Sequence, residues 1–357
     1  VGGTHGKGST IAFLAAMLRA GGYGVGTYTS PHVLRYNERI CLAEREVSDS
    51  ELCQAFAAVE AARHGEALTY FEFGTLAAWW LFRQAQLDVW LLEVGLGGRL
   101  DAVNWLDADV AIVTSVGVDH VDRLGPDREA IGFEKAGIYR PGRPAIYADL
   151  APPVGLLRHI EAIGARSYGI GREFELQTQP HAWHWRGPQR CHTDLPYPPT
   201  LSGQAQLRNA ASAIMALDCL HERLPLRPGA VAQGLNDARL PGRWQILSGP
   251  VPWILDVAHN PAAAGELAQH LAQAPPAGRT IGLLAMRGDK DAVGFIEALA
   301  GQIDIWYLTH FGVPPAHSID TLIEVVRRIA GWDRLWHCDD LELALANIGY
   351  QIGRASC

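Results

Sequence analysis

The chain has no C-x-x-C pair, no apolar run of bilayer length, no excess of basic charge and no repeat of solenoid length. Each absence removes a class. Six cysteines (Cys41, Cys53, Cys191, Cys219, Cys338 and Cys357) lie scattered through 357 residues, which fits buried, reduced thiols better than a disulfide framework. The most apolar stretch, Phe73 to Phe82, is half a membrane span and Arg83 closes it, so no membrane crossing is expected. A net charge of −8 leaves no basic footprint for nucleic acid. It does not prevent anion binding, because single lysines and helix ends hold phosphate inside acidic proteins. With 48% hydrophobic and 19% charged residues and no long polar tract, extensive disorder is not expected. No charged, apolar, cleavable leader opens the chain, and a cytoplasmic protein is the expectation.

What is present is alternation. The length exceeds one ordinary core and predicts two domains. Helical periodicity over 9–20 (Ile11, Leu14, Ala15 and Leu18 on one face) ends at Gly21-Gly22, and a short strand follows at 24–28. Further helices are expected at 49–63, with Ser48 as N-cap, at 71–86 and at 127–139. Strands are expected at 88–94, 108–116 and 145–148, the first of them apolar on both faces as parallel strands are. This rhythm predicts an α/β fold with a doubly wound parallel sheet. Residues 166–199, rich in Trp, His, Pro and Gly, read as a small antiparallel appendage, followed by helices at 204–223 and 228–236. Leu240-Pro241-Gly242-Arg243 reads as a linker. Beyond it, strands at 253–257, 280–285, 303–308 and 334–337 alternate with helices at 261–273, 292–300 and 318–330. The expected domains are therefore 1–239 and a smaller, Rossmann-like 240–357. Val1 stands directly before a glycine-rich loop of a kind that follows a strand, and 350–357 matches no element ending. These ends are read as a truncated or frame-altered chain, lacking a strand at the start and incomplete at the close.

The opening loop carries the first chemistry. In Gly3-Thr4-His5-Gly6-Lys7-Gly8-Ser9-Thr10, glycines let successive N–H groups face a phosphate, and the helix beginning near Ser9 adds its positive end. Lys7 suits the β- and γ-phosphates, and a hydroxyl from Ser9 or Thr10 suits Mg²⁺. Gly8 between Lys7 and Ser9 departs from the usual Walker spacing. A plain glycine-rich turn is the alternative, weakened by the helix that follows.

The loop resembles the G-T-N-G-K-G-S loop of the folylpolyglutamate and dihydrofolate synthases, within the Mur ligase superfamily. Matching segments follow in order: Tyr28-Thr29-Ser30-Pro31-His32, Arg35-Tyr36-Asn37-Glu38-Arg39, Glu93-Val94-Gly95-Leu96-Gly97-Gly98-Arg99-Leu100-Asp101, Asp119-His120 and Glu134-Lys135-Ala136-Gly137-Ile138. Arg208-Asn209-Ala210-Ala211, Pro241-Gly242-Arg243 and Asp256-Val257-Ala258-His259-Asn260-Pro261 continue the series. The resemblance implies an ATP-dependent ligase that phosphorylates the carboxylate of a pteroate or folate and couples it to L-glutamate through an acyl phosphate. It implies ATP and two Mg²⁺ sites as cofactors, small-molecule substrates and a monomer.

Roles carried by the resemblance are residue-specific. Glu93, at a strand end where ligands of doubly wound sheets collect, shares the first Mg²⁺ with Ser30. His120 is implied as a ligand of a second Mg²⁺, although taken alone a histidine beside Asp119 is an ordinary polar residue. Lys135 is implied to be carbamylated, which needs burial to lower its pKa; otherwise it is a surface lysine. Asn209 is implied to contact adenine, Arg243 the phosphates, Asp256 the ribose, and His259 the phosphate or glutamate end, with Lys7, Lys135 and His259 as the catalytic set. Arg35, Phe71, Phe73, Thr75 and Asp101 are implied to meet the substrate, the rings by stacking on the pterin. Without the resemblance, Phe71 and Phe73 are helix-start packing, and Arg35 with Arg39 a solvated loop. Three departures stand out: His5 for asparagine, Phe133 for arginine, and no Gly-Ser-Phe segment near the end. The competing readings are a truncated or degenerate nucleotide-binding homologue and a P-loop kinase.

Overall fold

Burial on nearly every side defines the first helix, α1 (Lys7–Ala20), in this computed structural model. The sequence shows one apolar face, yet Phe13, Ala16 and Met17 are buried as well as Ile11, Leu14 and Leu18. The structure describes every residue except 202, 250, 274–277, 311–315 and 356–357, and of 262 and 351–355 it describes no side chain. The chain divides at the Pro-Gly pair into two compact units, Val1–Pro241 and Gly242–Cys357.

In the first unit, β1 (Val25–Tyr28) pairs antiparallel with β2 (Ile40–Leu42), which turns into β3 (Arg45–Glu46). Helices α2 (Asp49–Ala62) and α3 (Tyr70–Gln84) pack on each other, each opened by a capping box, Ser48 with Glu51 and Thr69 with Glu72. Strand β4 (Val89–Leu92) then pairs parallel with β1. Next, β5 (Ala111–Val113), β6 (Pro144–Tyr147) and β7 (Arg166–Gly169) form a parallel sheet, with α4 (Val121–Leu124), α5 (Arg128–Ala136) and α6 (Val154–Ala162) between them. The opening residues join the two sheets. Val94 N donates to Val1 O at 2.9 Å, Gly2 N to Ile112 O at 2.8 Å and Thr4 N to Ser115 O at 2.8 Å, so 1–4 run between the β4 and β5 strand lines.

Two readings of this unit need correction. Residues 166–169 belong to the parallel sheet through β7, not to the appendage, because Arg166 to Gly169 register with Pro144 to Tyr147. The antiparallel piece is β8 (Glu175–Thr178), β9 (Trp183–Arg186) and β10 (Cys191–Leu195). It is docked rather than free: Trp183 and Trp185 are fully buried, and the Trp185 indole donates to Ala211 O at 3.1 Å. That carbonyl belongs to α7 (Gln204–Cys219), which with α8 (Ala230–Asp237) covers α1. Close approach of α8 needs Gly234, where a Cβ would lie 2.5 Å from Met17 Cα. Helix α6 is absent from the sequence reading because Pro152-Pro153 and Gly155 look like a loop.

The second unit opens with a hairpin, β11 (Gln245–Leu247) against β12 (Trp253–Leu255). The segment expected at 253–257 is thus antiparallel to a three-residue strand too short to show a period. Then α9 (Pro261–Gln273), β13 (Ile281–Leu284), α10 (Ala292–Leu299), β14 (Ile305–Leu308), α11 (Ile319–Ala330) and β15 (Leu335–His337) build a parallel sheet in the order β13-β14-β15. Its core gathers Phe295, Ile296, Trp306, Leu308, Leu322 and Val326. The run at 350–357 continues α12 (Leu341–Ala355), apart from 356–357, which lie outside the described residues. Among the described residues, no helix is long and apolar enough to cross a membrane.

Candidate active site

Main-chain geometry shapes the loop before α1. Gly6 caps the helix at φ +84°, and Thr10 returns both its N–H and its hydroxyl to Gly6 O at 2.9 Å. The helix therefore starts at Lys7, two residues earlier than the periodicity indicates. Its first N–H groups lie within the glycine loop, as phosphate binding at a helix start requires. The Thr10 hydroxyl donates to Gly6 O and keeps its lone pairs, so Thr10 and Ser9 both remain hydroxyls suited to a metal. Lys7 Nζ curls onto Gly3 O at 3.0 Å and Thr4 O at 3.4 Å.

At His5 the scaffold is held by main-chain bonds. His5 N donates to Ser115 Oγ at 3.1 Å, and His5 O accepts from Thr114 Oγ1 at 2.6 Å and Ser115 Oγ at 3.2 Å. These anchors use the residue's main chain, which any residue at this position offers. Thr114 and Ser115, just past β5, are functional neighbours that sequence reasoning missed. No spacing marks them, since only the parallel bridge of Gly2 with Val113 brings them to the loop.

Glu93 follows β4 and is 4% exposed. Its Oε2 accepts from Ser30 N at 3.0 Å, and a Cβ on Gly8 would stand 3.7 Å from the same oxygen. Loop, Ser30 and Glu93 thus converge. Asn209, buried on α7, reaches them too: a Cβ on Gly6 would meet its Oδ1 at 2.5 Å. A carboxamide donor-acceptor pair beside a phosphate loop suits a nucleobase edge.

Gly6→Ala is accordingly expected to weaken nucleotide binding by about tenfold or more, since the methyl collides with Asn209 and the left-handed backbone adds about 1–2 kcal/mol of strain. Gly22→Ala, at φ +95° with nothing within 4 Å, shares the strain but not the collision and serves as control. Titration with a fluorescent nucleotide reads both. Equal losses in the two variants would remove the Gly6–Asn209 contact from the argument.

Lys135 ends α5 and is buried. Burial, helped by the Lys7 cation and opposed by Asp119, lowers its pKa to about 7. Its amine is thus substantially neutral near pH 7, the state a nucleophilic nitrogen needs. His120 sits at φ +52° before α4, half exposed, with Nε2 3.9 Å from Asp119 Oδ2. Among the described residues no group of three or more His, Cys, Asp or Glu is placed to hold a metal. Glu93 and the Ser30 hydroxyl are hard oxygen donors that fit Mg²⁺, which takes few protein ligands and completes its shell with phosphate and water. His120 with Asp119 is a thinner donor set.

On the substrate side the expected residues separate. Phe71 lies across Gly95, where a Cβ would be 2.6 Å from the ring, so it flanks the glycine loop after Glu93. Phe73 instead packs edge-on to Phe56 at 5.5 Å. Thr75 is 1% exposed and donates to Phe71 O at 2.8 Å. The Asp101 carboxylate takes three backbone donors, Gly95 and Leu96 at 3.0 Å and Val103 at 2.9 Å. Burial raises its pKa against those bonds. That geometry braces the Gly95–Leu96 turn. Arg35 is exposed and pairs with Asp49 at 2.8 Å. Arg39 departs from the solvated-loop reading: it is buried over the Tyr36 and Tyr70 rings, with Nε 2.9 Å from His32 Nδ1. Phe133, in place of arginine, sits under the Arg99 guanidinium at 5.9 Å.

In the second unit, Asp256 accepts from Trp244 N and Ala258 N, each at 2.8 Å, and Val257 N donates to Gly242 O at 2.8 Å. These bonds set Arg243 next to Asp256. His259 is exposed, with Nδ1 2.9 Å from Val257 O.

Residues 1–217 match the Mur ligase middle domain, and 242–354 match the Mur ligase glutamate ligase domain. The dihydrofolate synthase/folylpolyglutamate synthase of Escherichia coli K12 is 42% identical over 344 residues, covering 96% of this chain and 80% of that protein. That of Mycobacterium tuberculosis is 30% identical over 375 residues, covering 97% and 76%. The structure of E. coli FolC in complex with DHPP and ADP superposes with a TM-score of 0.89 at 41% identity, covering 97% of this chain and 80% of that one. A bifunctional folylpolyglutamate synthase/dihydrofolate synthase with Mn, AMPPNP and L-glutamate bound gives 0.87 at 42% identity, covering 97% and 81%. With both Mur ligase domains matched in order and relatives this similar across nearly its whole length, the chain belongs to the dihydrofolate synthase/folylpolyglutamate synthase family of Mur ligases.

Proposed function

We propose that this chain is an ATP-dependent carboxylate–amine ligase that joins L-glutamate to dihydropteroate, to folate, or to both. The observation that carries the reading is the convergence of the glycine loop, Ser30 and buried Glu93 on one point, with Asn209 against the loop. Phosphoryl transfer of this kind depends on positioning and charge neutralisation more than on covalent chemistry by the protein. The loop N–H groups and Lys7 hold the nucleotide phosphates. The substrate carboxylate attacks the γ-phosphorus and ADP leaves, giving an acyl phosphate. The amine of L-glutamate then attacks the acyl carbon, phosphate departs, and the amine proton passes to a base or to solvent.

Mg²⁺ held by Glu93 and Ser30 would supply charge neutralisation for the nucleotide phosphates. His120 with Asp119 is the proposed neighbourhood of a second ion. Lys135 is proposed to react with CO₂: its neutral nitrogen forms the C–N bond, a proton goes to solvent, and a carbamate replaces a cation. Beside Lys7 this turns a repulsion into an attraction, since the Lys7 cation already lowers the preference of Lys135 for charge. Arg243, Asp256 and His259 are the proposed contribution of the second unit. Asp101 and Thr75 act as supports, and Phe71 is the ring left for a flat heterocycle.

Phosphate release that needs ATP, dihydropteroate and L-glutamate together, matched by new amide, is the expected result. Release without glutamate, with a phosphorylated hydroxyl, would point to a kinase. Nucleotide binding without turnover would leave a degenerate homologue.

A further inference from the structure

The first unit also holds a positive charge that the ligase reading leaves unused. Arg39, just before β2, is 9% exposed, and among the described residues no Asp or Glu pairs with it. Arginines are seldom this buried without a counter-charge, because the desolvated cation is costly. Its side chain makes one hydrogen bond, from Nε to His32 Nδ1 at 2.9 Å. Nη1 and Nη2 make none among the described residues, and neither is sealed from solvent, so a ligand can reach them. The guanidinium carbon stands 5.3 Å from the centre of the Tyr36 ring and 5.4 Å from that of Tyr70. Ring faces attract a cation but supply no hydrogen-bond acceptor for its terminal nitrogens. Two features tie this group to the site. Arg39 O accepts from Thr29 N at 2.9 Å, next to Ser30. The Arg39 charge also acts on the Tyr28 hydroxyl, and the Tyr28 ring lies 5.7 Å from that of Phe71. Arg35, by contrast, is exposed and already neutralised by Asp49 at 2.8 Å.

We propose that Arg39 is a substrate-binding residue that takes a carboxylate of the pterin-bearing substrate on its two terminal nitrogens. The assignment rests on the ligase reading above and adds a residue to it. Two parallel N–H donors match the two oxygens of a carboxylate, which makes this pairing strong and geometrically specific. The His32 bond and the two rings hold the fork in place beforehand, so little ordering is left for binding to supply. The same planar anion comes from two sources. Dihydropteroate carries one carboxylate, the one to be phosphorylated, whereas folate carries the α- and γ-carboxylates of its glutamate.

Quenching of tryptophan fluorescence in the full chain, titrated without ATP, reads binding apart from turnover. The wild type should bind dihydropteroate, folate or both about tenfold or more tightly than their carboxamide analogues, the size of one charge-assisted contact. Arg39→Gln should lose this preference while its affinity for the amides stays the same, whereas damaged packing would weaken acid and amide alike. Arg39→Lys keeps the charge without the fork and should keep only part of the preference. A loss that includes dihydropteroate assigns the reacting carboxylate, and a loss for folate alone assigns the α-carboxylate. A preference undiminished in either variant, or absent from the wild type, overturns the proposal. Phosphate release from the same samples keeps the two readings apart. A wild type that shows the preference without turnover would fail only the ligase reading, and turnover with an undiminished preference in Arg39→Gln would fail only the role of Arg39.

Discussion

Lys135→Ala is expected to lower ligase turnover by about 10²–10³-fold or more, on the scale of losing one charge-stabilising group aimed at a transition state. Nucleotide binding should change far less, because the glycine loop keeps its main-chain anchors on Thr114 and Ser115. Acetate should restore part of the rate, as a carboxylate diffusing into the space of the proposed carbamate. In the wild type, stripping CO₂ should slow turnover, most below pH 7, where less of the amine is neutral. The lowered pKa of about 7 also sets a stability trend. Between about 7 and the ordinary value of 10.5, the unfolded chain holds more protons on this lysine than the folded one. Stability should therefore gain from this group as pH rises through that window, and feel its full burial cost below it. Lys135→Met removes that cost and should flatten the trend in urea titrations at several pH values. A Lys135→Ala enzyme with an unaffected rate would refute the proposed role.

Glu93→Gln is the second large effect, with kcat/KM expected to fall by about 10²–10³-fold. The amide keeps the size of the side chain but loses the charge that a hard cation needs. Removing one buried charge should leave the fold intact. The distinguishing measurement is the Mg²⁺ dependence of nucleotide affinity: the variant should need a higher Mg²⁺ concentration to reach the same Kd. An unchanged Mg²⁺ curve beside a lost rate would assign Glu93 to ordering Ser30, whose N–H it accepts at 3.0 Å, rather than to metal binding.

Legibility followed the physics of each element. Helix α9 begins at Pro261 and ends at Gln273, the bounds read from the sequence, because proline at a first turn and apolar periodicity are local signals. Capping explains why Ser48 marked α2. Conversely, β7 was misassigned because four residues, Arg166 to Gly169, belong to a parallel sheet through pairing with β6, a non-local fact. Strands β2, β3 and β11 have two or three residues each, below any usable period. At the site, glycine spacing revealed the loop, whereas only packing shows that Phe73 stands edge-on to Phe56 and that Thr75 is buried and bonded to Phe71 O.

By itself, then, the sequence determined the α/β class, the glycine loop, the family and the order of its motifs, because glycine spacing, periodicity and capping are written in neighbouring residues. Tertiary structure alone decided which side chains share a space. It placed Glu93 against Ser30 and Gly8, buried Lys135 near Lys7, and turned Asp101 into a brace. Burial and electrostatic coupling depend on distances between residues far apart in the chain, and no local pattern encodes them.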